Sequence, residues 1–313
     1  MKNARLFLLI FLVAPLISGA KPKFVESELQ LNTGTGILNG TLCVPKAKKA
    51  IPVALIIAGS GPTDRNGNNP VMKNDALKKI AHGLAAKGIA SLRYDKRGIA
   101  ASAAAMKSEE ELLFSHYADD AKGWINLLKS DQRFGSLTII GHSEGSLVGM
   151  LAAEKADRFI SLAGAGRPID VVLREQLSSL PDELRGLSNK YLDSLKAGRR
   201  IANPDQRLMM LFRPSVQPYM ISWLKHDPAE IISRMQIPVM IVQGTKDVQV
   251  AVTDAQLLYA AQPKARYLLI EKMNHVLRTI EGDADQNLAS YSDDRLPLSK
   301  PLLPGMTGFI LGK

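Results

Sequence analysis

Residues 137–149, with the sequence LTIIGHSEGSLVG, constrain the fold of this chain more than any other stretch. The run from Leu137 to Ile140 is apolar and rich in β-branched residues, which predicts a short strand buried on both faces. From Glu144 onward, apolar residues recur at the spacing of an α-helix. The strand and the helix are joined only by Gly141 to Gly145, so the chain must turn very sharply around Ser143.

This turn has the pattern G-x-S-x-G, with glycines at 141 and 145 around Ser143. The glycines keep the space beside the turn free of side chains, and the predicted geometry exposes the hydroxyl of Ser143 above the edge of a sheet. The following helix points its N-terminal amides at any negative charge near that hydroxyl. A five-residue pattern occurs by chance in many proteins, but the strand before it and the helix after it are the context it requires. Ser143 is therefore predicted to be a nucleophile.

Residues 1–20 have the features of a secretory signal peptide. Lys2 and Arg5 precede an apolar run from Leu6 to Ile17, and Ser18-Gly19-Ala20 places small residues before a cleavage site after Ala20. An uncleaved anchor is the alternative, although the run is short for crossing a bilayer. We expect an exported protein, periplasmic or secreted, with no stable membrane insertion after cleavage. No cysteine stands at the cleavage point, so no lipid attachment is expected there.

Composition limits the remaining possibilities. Cys43 is the single cysteine, so an internal disulfide is impossible and a large apolar core must stabilise the 313-residue chain. Hydrophobic residues make up 46% of the sequence, which permits such a core. The formal net charge is +10, yet no basic stripe with interleaved aromatic residues is present, so nucleic acid is not a predicted partner. We interpret the positive charge as a solvated basic surface.

Predicted strands and helices alternate along the chain. A hairpin is predicted within 34–45, helices at 75–87 and 115–129, and strands at 53–58, 89–94, 137–140, 159–163, 238–242 and 266–270. Such alternation with short connections predicts an α/β protein with a mostly parallel central sheet and helices on both faces.

One interval departs from this alternation. Residues 166–236 have no strand-like run, contain six prolines, and carry more apolar residues in 208–212 and 219–223 than one exposed helix face needs. We interpret this interval as a helical lid inserted over the carboxyl edge of the sheet. The predicted core then consists of residues 21–165 and 237–313.

Taken together, the chain resembles the α/β-hydrolase family. In that family the catalytic serine is followed in sequence by an acid after a late strand and then by a histidine. Here Asp247 follows the strand at 238–242 and His275 follows the strand at 266–270. The resemblance implies a triad of Ser143, Asp247 and His275. Asp170, which follows the strand at 159–163, is the alternative acid.

The chemistry of ester hydrolysis needs these residue types. A serine hydroxyl is a poor nucleophile unless a base takes its proton, and a histidine near neutral pKa can take and return that proton. A carboxylate fixes the tautomer of the histidine and stabilises its protonated form. Of the five histidines, only His275 follows a terminal strand; the others are His82, His116, His142 and His226.

Two backbone amides are predicted to bind the negative oxygen of the transition state. The resemblance implies the N–H of Glu144, directly after the nucleophile, and the N–H of Ser60, in the loop after the strand at 53–58. The stretch 59–67 (GSGPTDRNG) resembles a subgroup of bacterial esterases and serine-aminopeptidase-like proteins. The subgroup pattern D-x-R-G-x-G-x-S corresponds here to residues 95–102, where Ala100 replaces a glycine.

The loops at 59–67 and 95–102 also carry four charged residues, which we interpret as ion pairs that brace the loops rather than as catalysts. They are Asp64, Arg65, Asp95 and Arg97.

These features predict a serine hydrolase that cleaves small carboxylic esters with short- to medium-chain acyl groups through an acyl-enzyme on Ser143. No cofactor or metal is expected, because the sequence has no His-x-x-x-His, cysteine pair or phosphate loop. Two alternatives remain open: a serine peptidase or aminopeptidase of the same fold, and a non-catalytic binding protein that kept the fold. A binder would have no chemical need for all three triad residues.

Overall fold

A single eight-stranded sheet organises the protein in a computed structural model that describes residues 23–313. The signal-peptide prediction for residues 1–20 lies outside the described residues. The strands are β1 Phe24–Asn32, β2 Ile37–Pro45, β3 Ile51–Ile57, β4 Ala90–Tyr94, β5 Phe134–His142, β6 Arg158–Leu162, β7 Val239–Gly244 and β8 Arg266–Ile270. Their spatial order is β1-β2-β4-β3-β5-β6-β7-β8.

The sheet is parallel from β4 to β8, and β1 and β2 join it as an antiparallel pair at one edge. In the centre, Ile140 of β5 lies between Ile56 of β3 and Ile160 of β6. All three side chains are buried, as expected for strands that are covered on both faces.

Helices cover both faces of the sheet. They are α1 Ala76–Ala85, α2 Phe114–Ser130, α3 Glu144–Ala152, α4 Ile169–Gln176, α5 Asp182–Lys196, α6 Met209–Phe212, α7 Gln217–Trp223, α8 Pro228–Ser233, α9 Val252–Ala261, α10 Ala284–Ala289 and α11 Leu302–Ile310. Residues of α1 and α11 pack in one apolar cluster on one face, and residues of α2, α3 and α9 pack in a second cluster on the other. The apolar stripe of α1 (Leu77, Ile80, Ala81, Leu84) is buried, because these positions lie on one side of the helix.

The parallel strands end at a common edge, and this edge positions the site. Because carboxyl ends of neighbouring parallel strands meet there, residues far apart in sequence come together after β3, β5, β7 and β8. The predicted site residues Ser60, Ser143, Asp247 and His275 all follow one of these four strands.

The hairpin at the start differs from the prediction. Its two strands are β1 and β2, and the interval 33–36 that contains Gly34 is the turn, with Gly34 at φ 80°. The strand β1 was not predicted because it is an edge strand whose side chains are mostly exposed and include two glutamates.

Between β6 and β7 the chain forms five α-helices, α4 to α8, and the residues described there contain no strand. We refer to residues 169–233 as the helical segment. Within residues 23–313, no helix combines the length and the apolar character required to cross a membrane.

Candidate active site

Ser143 occupies the sharp turn between β5 and α3, with φ 55° and ψ −123°. This is a strained conformation for a residue with a side chain. A Cβ atom on Gly141 would lie 2.2 Å from the carbonyl oxygen of Gly145, and a Cβ atom on Gly145 would lie 2.4 Å from the carbonyl oxygen of Ile57. Neither position has room for a larger residue, so the two glycines are what allow the turn to pack against the sheet.

His275 is hydrogen-bonded to Asp247. The distance between His275 Nδ1 and Asp247 Oδ2 is 2.8 Å, and both side chains are buried. Since the carboxylate accepts the proton on Nδ1, the neutral imidazole keeps Nε2 as an unprotonated base. This is the arrangement needed to take a proton from a hydroxyl.

Asp247 is held as an anion by several donors. Its Oδ1 accepts from the backbone amides of Gln249 (2.8 Å) and Val250 (3.0 Å), and Oδ2 also accepts from Gln243 Nε2 (3.1 Å). Burial by itself would raise the pKa of Asp247. The charge and hydrogen bond of His275, with the two amides, outweigh burial and bring the pKa below its ordinary value.

Asp170, the alternative acid, has a different partner. It lies in the first turn of α4, and its Oδ2 accepts from Lys196 Nζ of α5 at 2.7 Å. It makes no hydrogen bond with His275 among the described residues, so the geometry favours Asp247.

His142 supports the backbone of the loop that carries His275. Its Nε2 lies 2.9 Å from the backbone carbonyl oxygen of His275, and its side chain is buried. A carbonyl only accepts, so Nε2 carries the proton and donates. Burial, followed by the charge of His275, lowers the pKa of His142 from 6.5 to about 4, so it is neutral near pH 7.

Ser143 and His275 line the same cavity, of about 200 Å³, at the carboxyl edge of the sheet. Polar residues Thr63, Asn69 and Asn74 also line it. A larger cavity of about 320 Å³ adjoins it, and Ser60, Ser143 and Gln249 line both. Ser143 thus lies where the two cavities meet.

Ser60 and Glu144 lie where amides could face a negative oxygen on the substrate. Glu144 is the first residue of α3, where backbone N–H groups have no partner within the helix. The amide of Ser60 donates no hydrogen bond within residues 23–313. The loop that contains Ser60 and the turn before Glu144 approach each other closely at Gly59, where a Cβ atom would lie 3.1 Å from Cβ of Ser143.

The larger cavity is mainly apolar, and the helical segment supplies most of its wall. The apolar residues include Leu147 of α3 and, from the helical segment, Val172, Leu173, Leu211, Met220 and Trp223. Of the apolar residues in 208–212 and 219–223, Met210, Leu211, Met220 and Trp223 line the cavity, whereas Phe212 is fully buried in the core.

The charged residues around the larger cavity are already paired. Arg167 contacts Asp254 and Glu175, and Arg213 contacts Glu109. Glu144 is the single carboxylate among the described lining residues, and its own partners, described below, occupy both of its oxygens. The cavity therefore offers no unpaired charge to a ligand from the described part of the chain.

The charged loop residues behave largely as predicted, with one correction. Arg65 donates two guanidinium N–H groups to Oδ2 of Asp95, and Arg97 donates to both carboxylate oxygens of Asp120 in α2. Asp64 makes no ion pair among the described residues. Instead its Oδ1 accepts from backbone amides of Asn66 and Asn68, because a short side chain in a turn reaches its own backbone first.

Lys96 was not identified from the sequence. It is 1% exposed, and its Nζ donates to Glu144 Oε1 at 2.9 Å and to the carbonyl oxygen of Gly59 at 2.5 Å. The ring of Tyr117 lies under the ammonium, with its centroid 4.9 Å away. Tyr219 of α7 donates to the other oxygen of Glu144 at 2.6 Å. The available signal was a lysine two residues after the end of β4, at the edge where the site forms.

Residues 23–313 contain no group of three or more His, Cys, Asp or Glu side chains placed to hold a metal ion.

The sheet order, the strained serine between β5 and α3, and the histidine–aspartate pair beside it define an α/β-hydrolase fold. The sequence profile of the family described as "Serine aminopeptidase, S33" matches residues 73–231, about half of the chain. The chain belongs to this family of α/β-hydrolases.

Individual proteins and solved structures are also similar to this chain. Esterase EstD of Thermotoga maritima is 28% identical over 270 residues, which cover 83% of this chain and 61% of that protein. The chain therefore spans about three fifths of the length of that relative. Est1E from Butyrivibrio proteoclasticus, solved with ferulic acid, superposes with a TM-score of 0.60 at 15% identity and covers 91% and 100% of the two chains. The α/β-hydrolase GrgF from a Penicillium species gives 0.56 at 18% identity, with 85% and 96% covered.

Proposed function

We propose that this protein is a serine esterase that hydrolyses small carboxylic esters through an acyl-enzyme on Ser143. The observation that carries the proposal is the pairing of Asp247 with His275 in a cavity that Ser143 also lines. Similarity to Esterase EstD supports an ester as the substrate class.

In the proposed reaction, Ser143 Oγ attacks the ester carbonyl carbon while His275 Nε2 takes the hydroxyl proton. The negative oxygen that forms accepts hydrogen bonds from the amides of Ser60 and Glu144. His275 returns the proton to the departing alkoxide, and Asp247 keeps the imidazolium oriented and stabilised. Water then repeats the sequence on the acyl-enzyme and releases the acid and free Ser143.

We assign the acyl group to the larger cavity and the alcohol to the smaller one. The larger cavity has a volume of about 320 Å³ and apolar walls, which suit a short or medium acyl chain. The smaller cavity carries polar side chains that suit a hydroxylated alcohol. In this arrangement the helical segment serves as the lid, since α4 and α7 supply walls of the acyl cavity.

Peptide hydrolysis is the second candidate, favoured by the family description. A peptidase that selects a free amino terminus needs an unpaired carboxylate near the scissile bond. Glu144 is paired with Lys96 and hydrogen-bonded to Tyr219, so the described cavity walls supply no such group. This argument favours ester hydrolysis.

The decisive experiment compares 4-nitrophenyl esters with aminoacyl 4-nitroanilides on the wild type and on Ser143→Ala. We expect ester hydrolysis that disappears in the variant, and covalent labelling of Ser143 by a fluorophosphonate probe. Faster cleavage of an aminoacyl anilide than of every ester would establish the peptidase instead. Fluorophosphonate labelling of the Ser143→Ala variant at another residue would remove Ser143 as nucleophile.

We also propose export, on the basis of the sequence of residues 1–20. The test is intact-mass analysis of protein recovered from the periplasm or medium of a bacterial host, with an expected N-terminus at Lys21. Protein that begins at Met1 and fractionates with membranes would support an uncleaved anchor.

A further inference from the structure

Lys96 places a buried ammonium beside the site, and the triad mechanism gives this charge no role. Burying an ammonium is unfavourable unless partners replace its hydration. Lys96 has three such partners: the carboxylate of Glu144, the carbonyl oxygen of Gly59 and the ring of Tyr117. Two of the three belong to segments that supply the predicted oxyanion donors.

The contact with Gly59 bears directly on Ser60, because the two residues share one peptide group. The carbonyl of Gly59 and the N–H of Ser60 belong to that group, and no cis peptide is present among the described residues. In a trans peptide the C=O and the N–H point in opposite directions. Lys96 on the carbonyl side therefore fixes the direction in which the Ser60 N–H points, away from Lys96.

The ammonium also changes the strength of that donor. A positive charge on the carbonyl oxygen draws electron density from the N–H, and linked hydrogen bonds polarise one another more strongly in a buried environment. The N–H of Ser60 becomes a better donor to a developing negative charge than a peptide whose carbonyl faces water.

Glu144 completes the arrangement from the other side. Its backbone N–H is the second predicted donor, and its side chain holds the ammonium in place. The carboxylate is itself anchored by the hydroxyl of Tyr219 from α7. Burial and the charge of Glu144 raise the pKa of Tyr219 well above its ordinary value, so the hydroxyl keeps its proton and donates. One buried ion pair thus connects both oxyanion donors.

We propose that Lys96 is a positioning residue of the reaction: it orients and polarises the Gly59–Ser60 peptide so that the Ser60 amide binds the oxyanion. The proposal rests on the esterase function proposed above. It predicts that Lys96 stabilises the transition state more than the bound substrate.

The test replaces the ion pair with neutral residues of similar length, in the double variant Lys96→Met/Glu144→Gln. Changing both residues avoids leaving either charge buried alone. We expect kcat to fall by about 10–100-fold, with a small change in KM. This fall is no larger than the one expected when a whole oxyanion donor is removed.

A second readout separates an oxyanion effect from general damage. Each enzyme is assayed with an ester and with the matching thionoester, whose carbonyl sulfur is a poor hydrogen-bond acceptor. The ratio of the two kcat/KM values does not depend on how much of a preparation is folded. We expect the ratio of ester to thionoester to fall in the double variant, because only the oxygen substrate benefits from the polarised amide.

The matched control is Arg97→Met/Asp120→Asn, which removes the neighbouring buried ion pair without touching the Gly59 carbonyl. It should keep the wild-type ratio. If the first double variant yields no folded protein, Lys96→Gln/Glu144→Gln is assayed in the same way with the same expectation.

A wild-type ratio in the folded neutral variant, or a rise in KM with kcat unchanged, overturns the role of Lys96. Failure of the underlying function looks different, since the wild type would then hydrolyse neither ester and Ser143 would not react with a fluorophosphonate.

Discussion

His142 Nε2 donates a hydrogen bond to the backbone carbonyl of His275 across 2.9 Å, so the residue before Ser143 holds the loop that carries the proposed base. The bond requires a neutral His142, and the pKa of His142 is lowered to about 4. Two histidines in contact therefore have separate roles: His142 supports the loop, and His275 is the proposed base.

The support role predicts a particular dependence of stability on pH. In the unfolded chain His142 titrates near 6.5, so between pH 6.5 and 4 the unfolded state binds the extra proton. The free energy of unfolding must fall as the pH is lowered through this window, by up to about 3 kcal/mol from this residue, and be unaffected above it. Urea midpoints at several pH values should fall less steeply for His142→Gln than for the wild type. Identical slopes for both proteins would contradict this assignment.

Replacement of each candidate acid by asparagine tests the triad. Asp247→Asn should lower kcat by roughly 10³–10⁴-fold, because an amide no longer stabilises the imidazolium and can stabilise the wrong tautomer. Asp170→Asn loses only a contact with the half-exposed Lys196, so its kcat should stay near the wild-type value. Steady-state kinetics on one ester measures both. The reverse ranking would identify Asp170 as the acid.

The shape of the larger cavity predicts a preference for acyl groups. Catalytic efficiency should rise from acetyl to butyryl esters by up to about fourfold per methylene, since each buried methylene contributes about 0.8 kcal/mol. An anionic succinyl ester should be hydrolysed more slowly than the butyryl ester, because the arginines of the cavity are already paired with carboxylates. Activity that peaks at acetyl and falls steeply would point to deacetylation of a polymer.

A substitution in α4 tests which cavity holds the acyl chain. Leu173 lines the larger cavity, and Leu173→Trp should reduce hydrolysis of butyryl and octanoyl esters more than that of acetyl esters. Val171 lies on the same helix, is 38% exposed, and is not part of the wall, so Val171→Trp is the control. An unchanged chain-length profile in Leu173→Trp would place the acyl chain elsewhere.

Packing at the turn predicts a contrast between two glycines. Gly145→Ala should destabilise the protein by about 3 kcal/mol or more, because its Cβ would press into the backbone oxygens of Ile57 and Ala58. A Cβ atom on Gly186 of α5 would have no neighbouring atom within 4 Å, and Gly186→Ala should stabilise by about 0.5–1 kcal/mol. Chemical denaturation of both variants provides the measurement. Equal stabilities would contradict the packing argument.

The sequence predicted the central strands well because their physical signal is local. The runs 53–58, 159–163 and 238–242 lie within one or two residues of β3, β6 and β7. Strands buried on both faces must be apolar throughout, which a single sequence displays. The edge strand β1 lacks that requirement and was missed.

The site residues differ in the same way: some have a local signal in the sequence, and others depend on long-range contacts. Ser143 was predicted from a local motif, and His275 and Asp247 were predicted from their order after late strands. The sheet topology brings the last two together. Lys96, His142 and Tyr219 depend on contacts between residues remote in sequence, so no spacing pattern identifies their roles. The association of Asp64 with backbone amides likewise depends on the loop conformation rather than on charge pairing.

The partners of Lys96 come from the loop after β3, the start of α3 and α2, and Glu144 adds a bond from α7. These segments are far apart along the chain, so the cluster closes only after several long loops have been ordered, which is the slow part of folding. Local helices form much earlier. In a refolding experiment the far-ultraviolet circular dichroism should therefore recover before catalytic turnover. The return of turnover would show that the last of these segments had packed around Lys96.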